Sequence, residues 1–362
     1  MSPHPVLHER LAAVDPRSYA RSRNHLNGDV TRLSPFISRG ALSTRAVFEH
    51  LAAQPYGWDA CEKLIQELSW RDYFQRVWQA KGALIDTDLK RPQSGVRHRE
   101  LPSALPQAAT GVDAIDAGIT ELMTTGYLHN HLRMYTASVA CNIGGAHWRE
   151  PAQWMYYHLH DGDWASNALS WQWVAGAFSA KKYYANQENI NRYTGSRQRG
   201  SYLDADYATL ESAQVPPSLE ATEPFDAVTP LPVTTPPDLR GARVFVYSYY
   251  NLDEQWHAVD DGDRVLLLEP DVFARYPVSQ SCLDWALELG ACIPGLQVMA
   301  GSFDDLAGLA GDRALNFREH PLNAHWRGVA EPREWMLPDL DGYFPSFFAY
   351  WKKAAPRLRA AF

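Results

Sequence analysis

Apolar residues recur at helical spacing through the first 212 positions. The windows 60–78, 111–125, 130–142 and 151–160 each place them three and four apart, which predicts amphipathic helices. Pro35, Pro102, Pro106 and Pro151 interrupt these runs. From 213 to 240 the pattern dissolves into Pro216-Pro217, Pro224, Pro230, Pro232 and Pro236-Pro237 among Ser and Thr, which reads as a stiff, extended linker. Beyond it the period changes. Short apolar runs at 243–247, 264–268, 296–299 and 314–317 suit buried strands, while 278–290 and 303–309 suit helices. Such alternation predicts a small parallel α/β layer. The expected fold is therefore mainly α: an all-helical domain over 1–212, a Pro-rich linker over 213–240, and an α/β domain with an aromatic tail over 241–362. That tail, Tyr343-Phe-Pro-Ser-Phe-Phe-Ala-Tyr-Trp351, is expected to dock on the helical domain.

With 362 residues, 46% of them hydrophobic, and 13 tryptophans, the chain suits two domains with sizeable cores. No apolar run reaches the roughly 18 residues of a membrane span, and the first residues lack the order of a secretory signal. A cytoplasmic monomer away from membranes is the expectation. Cys61, Cys141, Cys282 and Cys292 are widely separated, which argues against structural zinc, an iron–sulfur cluster or a disulfide framework; no metal is expected. The net charge of −8 is unevenly placed. Residues 1–220 carry 22 Lys and Arg against 22 Asp and Glu, whereas 221–362 carry 12 against 20. Any nucleic-acid surface must then be a local patch on the first domain, with Lys90, Arg91, Arg97, His98, Arg99, Lys181, Lys182, Arg192, Arg197 and Arg199 as candidates.

Four blocks carry chemistry. In the first, Thr31, Ser34 and Pro35 open a helix, with Arg32 beside it; a helix N-terminus with a guanidinium fits a diphosphate, and an ordinary N-cap fits it too. In the second, Gln66-Glu-Leu-Ser-Trp-Arg-Asp-Tyr-Phe74 puts Glu67, Trp70 and Arg71 on one helical face. In the third, His129-Asn-His-Leu-Arg-Met134 aligns Asn130 with Arg133 and adds the soft sulfur of Met134. The fourth, Asp161-Gly-Asp-Trp-Ala-Ser-Asn-Ala-Leu-Ser-Trp-Gln-Trp173, supplies Asp161 and Asp163 as acceptors, with Asp161 placed to pair with Arg133. Trp171 and Trp173, two positions apart, point in different directions on a helix. No Gly-rich dinucleotide fingerprint follows a strand, which disfavours a nicotinamide dehydrogenase.

Over residues 15–205 these blocks resemble the FAD-binding helical domain of the DNA photolyase and cryptochrome family. The resemblance implies FAD as cofactor, with Tyr19, Thr31, Arg32, Leu33 and Ser34 toward its phosphates. Glu67, Arg71, Asn130, Arg133, Asp161, Asp163 and Asn167 are implied around flavin and adenine, with Asn167 beside flavin N5. Trp70, Asn130, Met134 and Trp173 are implied to contact a pyrimidine dimer in damaged DNA, and Glu67 to bond it. Trp171 becomes the flavin-proximal electron donor and Trp148 the next relay indole. Departures are Val30 for a threonine, Leu64 for a tryptophan and His131 for an arginine; the outermost relay tryptophan has no counterpart between Trp78 and Trp148, with Trp154, Tyr156 and Tyr157 as candidate substitutes. The region from Arg243 resembles the family's light-harvesting α/β domain in a changed order, with an antenna chromophore as one expectation and a structural cover as the other. Two functions stay open: light-driven repair of pyrimidine dimers, cyclobutane type favoured, and blue-light signalling of the cryptochrome kind.

Overall fold

The computed structural model describes residues 3–362. Its helices are α1 Pro3–Ala12, α2 Pro16–Ser22, α3 Ser34–Ser38, α4 Thr44–Ala52, α5 Trp58–Lys81, α6 Asp113–Thr125, α7 Asn130–Ser138, α8 Arg149–His158, α9 Trp164–Val174, α10 Gln187–Thr194, α11 Tyr207–Glu211, α12 Pro270–Arg275, α13 Gln280–Gly290, α14 Phe303–Ala310 and α15 Phe347–Arg359. Its strands are β1 Leu101–Pro102, β2 Thr222–Glu223, β3 Arg243–Tyr247, β4 Asp263–Leu268, β5 Leu296–Ala300, β6 Ala314–Arg318 and β7 Val329–Glu331. A mainly helical region thus precedes a five-stranded sheet, as the apolar periods predict.

The compact units do not follow the linear cut drawn from composition. One holds 1–16, 31–80 and 228–362; the other holds 17–30 and 81–227. The reason lies in α5. It buries residues all round, among them Leu64, Ile65, Leu68, Tyr73 and Val77, so one partner layer cannot cover it. Its coverage comes from far along the chain: the Tyr73 hydroxyl donates to the Phe344 carbonyl at 3.3 Å, and the Met336 N–H donates to Asp72 at 3.1 Å. Nor is 213–240 a free linker. Thr222 and Glu223 pair antiparallel with Pro102 and Leu101, and the Val278 N–H donates to Thr229 Oγ1 at 2.7 Å.

In the helical unit, α6 ends at Gly126, whose φ of 69° gives the left-handed turn that a side chain would resist. The single helix expected over 130–142 is α7 continued by a π-helical turn at Val139–Ile143. Such turns shift the face that a helix presents.

In the other unit the sheet order is β5-β4-β3-β6-β7, all parallel. β3 alternates Val244 and Val246 with Phe245 and Tyr247, all buried, so both sheet faces are covered and the run reads as continuously apolar. Val244, Val246, Val265 and Leu267 share one cluster with Phe303 and Leu306 of α14, and Trp256 and His257 ring against Phe245. Each such aliphatic side chain contributes about 1.5–3 kcal/mol on burial.

The chain enters the sheet at its centre and later returns beside β3, so β3 and β6 flank the point where ligands bind in open α/β folds. A cavity of about 30 Å³ lies there, lined by Tyr249, Tyr250, Glu269, Phe273, His320 and Trp326 among others. That is room for a water or two, not for a ring system.

Candidate functional site

The helical unit brings the third and fourth sequence blocks together. Arg133, on α7, donates from Nη2 to both oxygens of Asp161 at 2.9 Å and from Nε to the Leu128 carbonyl at 2.8 Å. Asp161 is 6% exposed and the Arg133 side chain 24%, so the pair is held at the edge of the interior. Arg133 Nη1 has no protein partner among the described residues, which leaves a cationic donor available to a ligand. The expected pairing of Arg133 with Asp161 is therefore present.

Asp163 is also buried, but its Oδ1 accepts from the Ser166 N–H at 2.8 Å and caps α9. This explains locally why α9 starts where it does. One turn on, Asn167 is buried and its Nδ2 donates to the Ala152 carbonyl at 2.7 Å, which fixes the amide. Asn130 is exposed at the start of α7; Met134 is half-buried. His131 stands 4.9 Å from the Tyr193 ring, and desolvation, then His129, Arg23 and His25, hold its pKa down at about 4. It is neutral near pH 7 and does not replace the charge of an arginine.

The tryptophans separate by environment. Trp148, Trp154, Trp164 and Trp171 are buried. Trp173 is 40% exposed and stacks on Tyr183 at 5.8 Å. Trp148 donates its indole N–H to Asp88 at 2.7 Å, and Trp164 donates to Asp86 at 2.8 Å. Sequence reasoning missed both aspartates. They lie just beyond the apolar window that marks α5, and their partners are some 60 and 78 positions away, so no local signal exists. The indole N–H of Trp154 is buried without a partner among the described residues.

The first and second blocks belong to the other unit. α3 has five residues, no side-chain cap and Leu33 at its N-cap position, so the helix expected to open at Thr31 is shorter and its dipole small. Thr31 Oγ1 accepts from the Leu33 N–H at 3.3 Å. Arg32 is exposed with φ 54°, a strained value for a residue with a Cβ. Ser34 is half-buried. Tyr19, on α2 in the helical unit, is half-buried with the Arg23 guanidinium 5.8 Å from its ring.

On α5, Glu67, Trp70 and Arg71 are all half-buried, and Arg71 Nη1 donates to Ser38 Oγ at 2.9 Å. Trp70 lies flat on Phe347 of α15, with ring centroids 3.7 Å apart. The aromatic tail thus finds its docking partner on this helix.

Among the basic candidates, Lys90, Arg91, Arg97, Arg99, Lys181, Arg192, Arg197 and Arg199 are exposed. The Lys90 and Arg91 N–H groups both donate to the Ala177 carbonyl, which draws the loop at 90–91 to the loop before Lys181. Among the described residues no three His, Cys, Asp or Glu side chains could hold a metal, and no helix is long and apolar enough to cross a membrane.

The donor set fits a flavin nucleotide: a half-open guanidinium anchored by a buried carboxylate, a fixed buried amide and buried indoles. Comparison with known proteins agrees. Residues 64–207 match the FAD binding domain of DNA photolyase.

Among similar curated proteins, the deoxyribodipyrimidine photo-lyase of Escherichia coli is 34% identical over 155 residues, covering 40% of this chain and 32% of that protein. The photo-lyase of Thermus thermophilus is 34% identical over 173 residues, covering 46% and 40%. The cryptochrome DASH of Ostreococcus tauri is 32% identical over 195 residues, covering 51% and 34%. The chain therefore spans about a third of the length of the curated relatives it matches. A solved cryptochrome from Synechocystis shares 26% identity over 52% of this chain and 42% of that one, with a TM-score of 0.46.

Proposed function

We propose that this protein binds FAD and uses it for light-driven repair of pyrimidine dimers in DNA, the cyclobutane type favoured. The observation that carries the reading is the Arg133–Asp161 pair with Arg133 Nη1 left open. A cationic donor on a buried carboxylate favours a ligand that gathers negative charge, as a reduced flavin does. When bound, FAD supplies the electron that splits the dimer.

The chain's part is positioning. Within the helical unit, Arg133, Asp163, Asn167 and Asn130 are assigned to the ring and Tyr19 to the phosphates; in the other unit, Thr31, Arg32, Leu33, Ser34 and Arg71 keep the cofactor roles that the resemblance implies. Trp171 and Trp148, both buried, form an electron path whose outer indole is missing from the sequence. Glu67 donates or accepts at the lesion, while Trp70, Met134 and Trp173 pack on a base taken out of the stack. The exposed cations at 90–99, 181 and 192–199 meet the phosphates.

A second reading, blue-light signalling without repair, draws support from one observation: the flat face of Trp70 is already occupied by Phe347. The cavity at the strand ends gives no support to an antenna pigment at that place.

One experiment separates the readings. Purified protein is reduced, mixed with an oligonucleotide carrying a thymine dimer, and illuminated in the near ultraviolet and blue. Restored thymines are expected. Flavin absorbance without restoration would favour signalling, and colourless protein that takes up no FAD would remove both.

A further inference from the structure

Phe347 and Trp70 make the tightest ring contact in their unit, 3.7 Å between centroids with planes 10° apart. The stack continues to Trp351 at 6.0 Å and 14°, and from Trp351 to Trp58 at 6.3 Å and 17°. Parallel stacking at such a spacing is what a nucleobase makes on an indole. Phe347 is the first residue of α15, and the connection before it is solvated at 341–343 and held at Phe344, which is buried and accepts from the Tyr73 hydroxyl. Asp341, Gly342 and Tyr343 are exposed, and Gly342, at φ 79°, has nothing within 4 Å of where a Cβ would be. The other end of α15 is fixed by buried Ala354 and Leu358, and by Phe362 edge-on to Trp58. Lifting the first turn means releasing Phe344, Phe347 and Tyr350 while Ala354 and Leu358 stay docked.

The outward side of the same helix is cationic. Lys352, Lys353, Arg357 and Arg359 are exposed and none is paired with a carboxylate among the described residues. Phe348 stands 70% exposed beside them. This is a positive strip in a region with 12 basic against 20 acidic side chains, so its sign is not that of its surroundings.

We propose that α15 is a cap that responds to nucleic acid. Phe347 holds on Trp70 the place of an unstacked base, and a strand drawn to the cationic side of α15 brings a base that displaces it. The inference rests on Trp70 being a base-stacking wall, as in the function proposed above. It adds that the wall is guarded by the chain itself, and that the partner is a polyanion with one base out of its stack.

Two variants and one measurement on the unaltered chain test it. Phe347→Leu keeps an apolar filler and removes the flat ring. Its affinity for a dimer-containing oligonucleotide should rise by at least roughly fivefold, the lower bound of what one stacked base contributes, with binding to the undamaged duplex unchanged. The double variant Lys352→Glu/Arg359→Glu should bind both oligonucleotides more weakly and with a flatter salt dependence. In the unaltered chain, amide exchange over 347–350 should speed up on adding the damaged oligonucleotide and not the undamaged one.

If the unaltered chain binds the damaged oligonucleotide tightly while exchange and Phe347→Leu affinity stay unchanged, the cap is wrong and the repair reading survives. If no form tells damaged from undamaged DNA, the reading of Trp70 falls and takes the cap with it. Should Phe347→Leu fail to fold, the exchange measurement decides alone.

Discussion

Trp148 and Asp88 form a half-buried indole–carboxylate bond of 2.7 Å, and the same carboxylate oxygen meets His147 Nε2 at 3.1 Å. Its second oxygen accepts from the Gln93 N–H at 2.8 Å. Asp88→Ala strands these donors and should cost about 1–3 kcal/mol, read from the urea midpoint. Asp88→Asn keeps an acceptor and loses the charge that favours an oxidised Trp148. Flavin photoreduction should slow in that variant with little change in stability.

Arg133 shields a carboxylate that is 6% exposed. Arg133→Met leaves Asp161 buried without its cation, at a cost of about 2–4 kcal/mol, the range reduced because Arg133 itself reaches solvent. Flavin retained through purification, measured at 450 nm, should fall to a small fraction. Asp161→Asn should lose flavin with a smaller loss of stability, since a neutral amide is cheaper to bury.

Acid should weaken the helical unit before carboxylates protonate. His131 and His158 are both held at about 4, each chiefly by desolvation. A histidine in the unfolded chain takes a proton near pH 6.5. Between about 6.5 and 4 the unfolded state therefore binds more protons, and stability falls as pH falls through that window. The urea midpoint should drop from pH 7 to pH 5, and His131→Gln with His158→Gln should flatten the drop.

Glu67→Ala and Trp70→Ala should keep flavin and lose repair, because the roles assigned to both residues lie on the lesion. A repair quantum yield unchanged in both would count against that assignment.

Leu358 is 1% exposed on α15. Leu358→Ala should cost about 2–5 kcal/mol through the cavity it leaves, and thermal unfolding should reveal it.

Much of this molecule was legible because its signals are local. The apolar runs at 243–247 and 296–299 fall on β3 and on the first residues of β5, and the window 60–78 falls inside α5. Arg133 and Asp161 were readable as a pair from the third and fourth blocks, which the structure places on α7 and in the turn before α9. The three-residue β7 is exposed or half-buried and leaves no apolar run to read. α15 was hidden by Pro356, which its last turns tolerate. The π-helical turn at Val139–Ile143 has the same apolar spacing as a continued α-helix, so periodicity could not mark it. The place of α5 was illegible for a different reason. A helix apolar on all sides announces burial without naming what buries it, and here the partners begin more than 250 positions later.

That distance carries a kinetic consequence. Tyr73 and Phe344 are 271 positions apart in the chain. While the protein is being synthesised, α5 keeps an oily, aromatic flank exposed until residues 336–347 have been translated. Nascent chains arrested before residue 335 should bind holding chaperones along 58–78, and refolding should include a slow step in which 58–78 and 336–347 find each other.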